Sequence, residues 1–341
     1  MKAKQNNSER EYNHDFTDIE RALITLSDNS HYGISIIIPL VGNTHRQRIF
    51  PVIDCLCRQR GVDIEIIIVH PSNESPIRVV DNRVHFIEVH PSFASPINIS
   101  HLRNEGVHHS NGSLIFIYDA DILLGRDTYL LELLKAFDGC QEVAICDPPR
   151  YSVLNIDQER LISELQQGVS VEDIVIPVEE FVMYYKYAHT PPPKLLFRRQ
   201  GHRTYFAYAH ELESSGTNIA KHAFWQGNGW NGGLIVPRKY YDLVAGYCEK
   251  FVGWGHEDSD MRQKLTRIMP VFRLIHDPIY IKYYVYHLEH ERPANIFSSA
   301  EQNNLIRQQR RTLPLLTLIH EDMNGHSIYQ SSLRKRHPWI E

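Results

Sequence analysis

Continuous apolar runs rich in β-branched residues recur along the first half of the chain. They are clearest at residues 34–39 (ISIIIP), 64–69 (IEIIIV) and 113–118 (SLIFIY), and shorter runs follow at 84–89 and 143–146. Runs without polar alternation are typical of strands that are buried on both faces of a parallel sheet. We therefore predict five strands in this part of the chain.

Segments with helical spacing lie between these strands. Residues 43–60 and 100–110 predict helices, and a third helix is expected after Asp127, which we predict to be its N-cap. The apolar face of this third helix comprises Leu130, Leu131, Leu134 and Phe137. Strands that alternate with helices predict an α/β fold with a mostly parallel central sheet, in which ligands bind outside the carboxyl ends of the strands.

Composition narrows the class of protein. The chain has 341 residues, of which 42% are hydrophobic and 23% charged, as in ordinary globular proteins. Lys and Arg total 36 against 41 Asp and Glu, a net charge of −5, so nothing predicts a nucleic-acid partner. The N-terminus is polar and no apolar run is long enough to span a bilayer. We therefore expect a cytoplasmic protein without a transmembrane segment, for which peripheral membrane association stays open.

Two carboxylates follow the apolar run at 113–118 directly, in the sequence Asp119-Ala-Asp121. At the carboxyl end of a strand, such an Asp-x-Asp pair can hold a divalent cation and a diphosphate, because hard cations prefer oxygen ligands. The alternative is structural, a turn-forming Asp followed by a helix cap.

A second cluster of functional residue types lies at 253–260, with the sequence GWGHEDSD. Its glycines permit an unusual backbone, Trp254 offers a flat face to a sugar ring, and Glu257 and Asp258 can act as base and hydrogen-bond acceptor. The alternative is an acidic helix N-terminus with Trp254 as a packing residue. A zinc-protease motif is excluded, because Asp260 stands where its second His would be.

His287 follows a strand that we predict at 279–286. A lone His after a strand is commonly structural. Combined with Asp121, however, it would form an oxygen-plus-imidazole set suited to Mn²⁺.

Taken together, these motifs resemble the GT-A-fold glycosyltransferases of the beta-1,4-galactosyltransferase and chondroitin-polymerase type, over roughly residues 33–292. A first strand ending in Ile-Pro39, an Arg103-Asn-x-Gly helix and an Asn-Gly232-Gly233 strand add to the likeness. The resemblance implies a Rossmann-like GT-A fold, with a mostly parallel sheet and flanking helices in a single catalytic domain that carries an acceptor-side insert.

The resemblance also implies residue roles. Asp121 and His287 would bind the metal, with Asp119 supporting them or touching the nucleotide. Asp258 would be the catalytic base and Glu257 a partner of the acceptor hydroxyl, and Asp258 at this place favours inversion of the anomeric centre. The residues that would bind the donor are Pro39, Arg103, Asp119, Gly232, Gly233 and Trp254.

The function so implied is a metal-dependent inverting glycosyltransferase, with Mn²⁺ or Mg²⁺ as its metal. It would move a hexose or N-acetylhexosamine from a UDP-sugar to a hydroxyl of a glycan, a lipid-linked saccharide or a peptide. Two alternatives are a catalytically silent sugar-nucleotide-binding module of the same fold and a sugar-nucleotide nucleotidyltransferase. The second would need a glycine-rich loop after the first strand, where only Gly42 is present.

Two segments depart from the pattern of the family. Residues 40–43 (LVGN) and 70–73 (HPSN) replace motifs that usually contact the nucleotide.

The expected organisation is a polar extension at 1–32, a nucleotide-sugar-binding half at 33–146, an insert for acceptor recognition at 147–225, a catalytic half at 226–295 and a helical tail at 296–341.

Overall fold

The computed structural model describes residues 33–72, 79–90, 97–153, 163–165, 167–169, 223–225, 233–274, 283–288 and 298–325. The N-terminal extension, most of the 147–225 insert and Gly232 lie outside the described residues. The predicted acceptor role of the insert therefore stays a prediction.

Eleven strands are present in the described parts of the chain. They are β1 (Ile34–Pro39), β2 (Ile64–Pro71), β3 (Val84–Val89), β4 (Leu114–Ile117), β5 (Ile122–Leu124), β6 (Ala144–Cys146), β7 (Arg150–Val153), β8 (Ala223–Trp225), β9 (Leu234–Pro237), β10 (Val271–Arg273) and β11 (Val285–Leu288). The five predicted strands appear as β1, β2, β3, β4 and β6. Of the strand expected at 279–286, the first four residues lie outside the described residues; from residue 283 onwards, β11 begins at Val285 and continues beyond the predicted end.

Helices connect these strands and follow the last of them. They are α1 (Asn43–Cys57), α2 (Ile99–His108), α3 (Tyr129–Ala136), α4 (Arg238–Leu243), α5 (Glu257–Leu265), α6 (Ala300–Arg311) and α7 (Leu315–Gly325). The helical tail predicted at the C-terminus is represented by α6 and α7.

The predicted cap of α3 is wrong. Its N-cap is Thr128, and Asp127 is instead held by Arg60, whose backbone N–H donates to the Asp127 carbonyl at 2.8 Å and whose guanidinium lies 3.4 Å from the Asp127 carboxylate. The buried face of α3 also differs from the prediction: of the four predicted positions only Leu130 is fully buried, and Tyr129 and Leu133 complete the face.

Seven strands form the central sheet, in the order β10-β6-β9-β4-β1-β2-β3. All are mutually parallel except β9, which runs antiparallel to both of its neighbours. The predicted α/β class, with a mostly parallel central sheet and flanking helices, is confirmed. The carboxyl ends of β1, β2 and β4 consequently share one edge.

Apolar cores cover both faces of this sheet. Ile36 and Ile38 of β1 belong to the core that includes residues of α1 and α3, whereas Ile37 belongs to the core that includes residues of α2, α4, α5 and α7. Alternate residues of one strand thus point into different cores, which explains why the run shows no polar alternation.

A smaller sheet of four strands, in the order β5-β11-β7-β8, lies beyond the end of β4. Its first strand, β5, is separated from the end of β4 by four residues, and it pairs antiparallel with β11. This pairing brings together segments that are more than 150 residues apart in the chain, and it shapes the site described next.

Candidate functional site

Asp121 and His287 meet where β5 pairs with β11. His287 lies opposite Ile122, the residue after Asp121, and the backbone N–H of Leu288 donates to the Asp121 carbonyl at 2.8 Å. The His287 Nε2 atom lies 3.3 Å from the Asp121 Oδ2 atom, and both side chains are more than 90% buried. The two residues therefore form a carboxylate–imidazole pair held by strand register.

His45, in the first turn of α1, faces the same carboxylate. Its Nε2 atom lies 3.8 Å from Asp121 Oδ2. Within the described residues, no group of three or more His, Cys, Asp or Glu side chains is already arranged as a complete metal cluster. Asp121 and His287 can supply one oxygen and one nitrogen ligand to a cation.

A small pocket opens beside this pair. It is lined by Pro39, Val41, His45, Ile97, Ile99, Asp119, Ala120, Asp121 and Trp254. Four of the predicted site residues, Pro39, Asp119, Asp121 and Trp254, are thus brought to one cavity at the carboxyl ends of β1 and β4. The pocket combines two carboxylates with an aromatic side chain and several aliphatic ones.

Arg103 lies behind the pocket and links its acidic groups. It is 1% exposed, and its Nη1 donates to Asp258 Oδ1 at 2.8 Å and lies 3.5 Å from Glu257 Oε1. Its Nη2 is 3.7 Å from Asp119 Oδ1. Although burial alone would lower the pKa of Arg103, the surrounding acidic groups raise it above its ordinary value. The residue expected to bind the donor is therefore enclosed among three carboxylates and does not line the pocket.

Asp258 lies in the first turn of α5 and accepts two hydrogen bonds on one oxygen. The donors are Arg103 and the Tyr247 hydroxyl, the latter at 3.1 Å. Burial raises the pKa of Asp258 well above its usual range, and the nearby Glu257 carboxylate adds to this rise while Arg103 opposes it. A carboxylate whose pKa is shifted toward neutrality is suited to accept a proton from a substrate hydroxyl.

Glu257 precedes Asp258 and is 4% exposed. Its Oε1 atom faces Arg103, whereas its buried Oε2 atom has no hydrogen-bond partner among the described residues. A buried carboxylate oxygen without a donor is costly, which distinguishes this oxygen from the paired oxygens of Asp258 and Glu257.

Trp254 is presented by a backbone that folds back sharply. Gly253, Gly255 and His256 have φ values of 74°, 102° and 76°, a region that favours glycine. The Gly253 N–H donates to the Ile97 carbonyl at 2.6 Å, which joins this segment to the wall of the pocket. The sequence needs glycines on both sides of Trp254 to aim its ring at the cavity.

Gly233 lies immediately before β9, whose first residue, Leu234, pairs with Ile117 at the end of β4. This register puts Gly233 at the same edge of the sheet as Asp119.

Two residues were missed by the sequence analysis, His45 and Tyr247. His45 stands in a polar helix start without a motif of its own, and Tyr247 becomes relevant only through its tertiary contact with Asp258.

The site thus belongs to an α/β protein that presents acidic groups, an imidazole and a Trp at the carboxyl ends of parallel strands. Comparison by family gives a more particular result: the profile of the family described as "N-terminal domain of galactosyltransferase" matches residues 221–291. The matched stretch is less than half of the chain and contains Trp254, Asp258 and His287. A search of curated protein sequences finds no match.

Several solved structures are similar to this chain. S. aureus TarS in complex with UDP is 11% identical with a TM-score of 0.44, covering 90% of this chain and 70% of that one. The mannosyltransferase PcManGT from Pyrobaculum calidifontis, in complex with GDP-Man and Mn²⁺, is 11% identical with a TM-score of 0.45, covering 96% and 80%. A Drosophila beta-1,4-galactosyltransferase 7 mutant, in complex with manganese, UDP-Gal and xylobiose, is 13% identical with a TM-score of 0.36, covering 80% and 79%. At these scores the likeness is partial.

Proposed function

We propose that this protein is a metal-dependent inverting glycosyltransferase that moves a hexose or N-acetylhexosamine from a UDP-sugar to an acceptor hydroxyl. The observation that carries the proposal is the joint arrangement of two groups. One is the Asp121–His287 pair beside the pocket that Trp254 and Asp119 line. The other is the buried Asp258 carboxylate, which Arg103 connects to Asp119. The family match over residues 221–291 supports the same class of reaction.

Asp121 and His287 fit a divalent cation. Their facing atoms, one carboxylate oxygen and one imidazole nitrogen, are 3.3 Å apart, a spacing compatible with both binding one ion. A mixed oxygen and nitrogen set favours Mn²⁺ over Mg²⁺. When bound, such a cation neutralises the charge that develops on a departing diphosphate.

Asp258 would take the proton of the acceptor hydroxyl as that oxygen attacks the anomeric carbon. General-base assistance of this kind contributes about 10²–10⁴-fold to rate. Arg103 would keep Asp258 ionised and oriented, since its guanidinium is the nearest cation to a carboxylate whose burial otherwise favours the protonated form. The Glu257 Oε2 atom, which has no hydrogen-bond partner among the described residues, would accept a hydrogen bond from a second hydroxyl of the acceptor.

Trp254 would cover the sugar donor in the pocket. A flat apolar ring excludes water from the reacting carbon and thereby limits hydrolysis of the donor. The acceptor, whether a glycan, a lipid-linked saccharide or a peptide, would approach from the side of α5, which carries Glu257 and Asp258.

No described helix is long and apolar enough to cross a bilayer. The cytoplasmic location stays a prediction.

Donor hydrolysis tests the proposal. Purified protein is incubated with UDP-Gal, UDP-GalNAc, UDP-Glc, UDP-GlcNAc and UDP-GlcA, each with Mn²⁺ and with EDTA. We expect slow release of UDP from one donor, stopped by EDTA. If no donor is cleaved and UDP gives no Mn²⁺-dependent thermal shift, the proposal is wrong.

A pair of matched variants separates the metal site from general effects of charge. Asp121→Asn should abolish the Mn²⁺-dependent thermal shift. Asp138→Asn makes the same chemical change at an exposed residue that does not line the pocket, and it should leave the shift unchanged.

A further inference from the structure

The buried face of helix α6 contacts the segment that carries the candidate site. The buried side chains of α6 are Asn303 and Arg310, and both are polar. They are seven residues apart, about two helical turns, so they lie on the same stripe of the helix. A surface helix ordinarily buries apolar residues on such a stripe. The polar residues of α6 instead make hydrogen bonds and ion pairs with specific partners.

Asn303 holds the backbone on both sides of Gly253. Its Nδ2 donates to the Val252 carbonyl at 2.9 Å and to the Trp254 carbonyl at 3.2 Å, and the residue is 1% exposed. Ser299, in the turn before α6, lies directly under Gly253, where an added Cβ would collide with its hydroxyl. The strained turn that presents Trp254 therefore rests on the start of α6.

Arg310 holds the other end of the same segment. Its Nε and Nη2 donate to the two oxygens of Asp260 at 2.8 and 3.0 Å, and its Nη2 also donates to Asp322 of α7 at 2.8 Å. Asp260 lies on α5, two residues after Asp258. A bidentate arginine–carboxylate pair fixes orientation as well as distance. Residues 252–260 are consequently held at both ends by one helix.

We propose, building on the glycosyltransferase function proposed above, that Asn303 and Arg310 are positioning residues that fix Trp254 against the donor pocket and Asp258 near the acceptor. Neither residue lines the pocket, so both act through the segment that they hold. Asn303 governs donor binding, because its two acceptors flank the aromatic residue of the pocket. Arg310 governs the placement of α5.

Asn303→Asp tests the role of Asn303 with nearly unchanged volume. The carboxylate cannot donate and would face two carbonyl oxygens, so both hydrogen bonds are lost. We expect the KM for the UDP-sugar to rise about tenfold, with kcat changed less than threefold. In addition, amide hydrogen exchange at Gly253, whose N–H is bonded to Ile97, should become faster.

Asn304→Asp is the matched control. It makes the same substitution at the next residue, which is half-buried, and it should leave both KM and the exchange rate at Gly253 within twofold of the unaltered protein. Asn303→Ala removes the donor without adding charge and serves if Asn303→Asp does not fold.

The possible outcomes are distinguishable. A lower melting temperature with unchanged KM and unchanged exchange at Gly253 would overturn the positioning role, as would unfolding of both Asn303 variants, because Asn303 would then serve stability alone. If the unaltered protein turns over no donor, the proposed function fails. The exchange measurement then still decides whether Asn303 holds this segment.

Discussion

Replacing Arg103 by Met should destabilise the protein in a manner that depends on pH. Met keeps much of the volume and the unbranched chain of the arginine stem, so the main change is loss of a buried positive charge. Three carboxylates lose that partner, at 2.8 Å (Asp258), 3.5 Å (Glu257) and 3.7 Å (Asp119). Breaking a buried ion pair by removing one partner costs about 3–5 kcal/mol, which in a chain of 341 residues corresponds to a melting temperature lower by about 4–7 °C.

The sign of the pH effect follows from Asp258. Burial raises the pKa of this carboxyl in the folded protein, and Arg103 opposes the rise. Because the folded pKa lies above the unfolded value of about 3.9, the folded state binds the proton more tightly, and stability falls as pH rises from that value through the folded pKa. Arg103→Met raises the folded pKa further and extends this loss to higher pH. The free-energy difference between variant and unaltered protein should therefore be larger at pH 8 than at pH 5.

Urea unfolding at both pH values measures the effect of the substitution on stability. The pH profile of kcat/KM measures its effect on activity. The acid limb of the profile should move to higher pH, since less Asp258 is ionised at any given pH. Arg103→Lys keeps the charge and should keep the limb near its original position. A destabilisation that is equal at pH 5 and pH 8, or that retains its pH dependence in an Asp258→Asn background, would refute this account.

Three further predictions concern single side chains. Asp258→Asn should lower kcat by about 10²–10⁴-fold while the Kd for UDP in calorimetry stays within about threefold; unchanged turnover would remove Asp258 as the base. His287→Ala should abolish the Mn²⁺-dependent thermal shift because one of two facing ligand groups is lost; a full shift in the variant would exclude the His287 imidazole as a ligand. Asp322→Ala should lower the free energy of unfolding, measured in urea, by about 3–5 kcal/mol, since it leaves the fully buried Lys264 ammonium without its carboxylate. Glu321→Ala removes a partly exposed ion pair and should lower it by only about 0–1 kcal/mol. Equal losses in the two variants would contradict the burial argument.

The central sheet could be predicted from sequence because its strands are buried on both faces. A run such as residues 34–39 has no polar face, which is typical of a strand in a mostly parallel sheet between two helical layers. The short strand β5 (Ile122–Leu124) was not predicted, since three residues carry no periodicity. The antiparallel direction of β9 was also beyond prediction, because an apolar run has no direction and only the pairing with β4 and β6 sets it.

Site residues could be predicted where a motif stood beside a predicted strand end. Asp119 and Asp121 were predicted in this way, and Trp254 was predicted from the glycines and acids beside it; all three line one pocket. The contact between Asp121 and His287 depends on the register of β5 with β11, which the sequence does not show, although the chemistry of the two side chains suggested that they act together. Arg103 was placed near the donor by the resemblance, and its burial among carboxylates depends on tertiary ion pairs with Glu257 and Asp258, which a sequence does not reveal.

The charge of the pocket argues that a cation must accompany an anionic donor. Among the described residues, its lining includes the carboxylates of Asp119 and Asp121 but no Lys or Arg, and Arg48, whose charge interacts with that of Asp121, lies outside the lining. Arg103 is the nearest guanidinium to Asp119, but it is 1% exposed and directed at three acids. A diphosphate that entered this pocket alone would therefore meet like charge in a partly desolvated site, which disfavours binding. A divalent ion, which Asp121 and His287 would hold, would supply positive charge and reverse the sign of that interaction. The affinity for UDP should accordingly depend on Mn²⁺ in the binding step itself, before any chemistry, and calorimetry with and without the metal measures this directly; equal affinity in both conditions would mean that the diphosphate lies elsewhere.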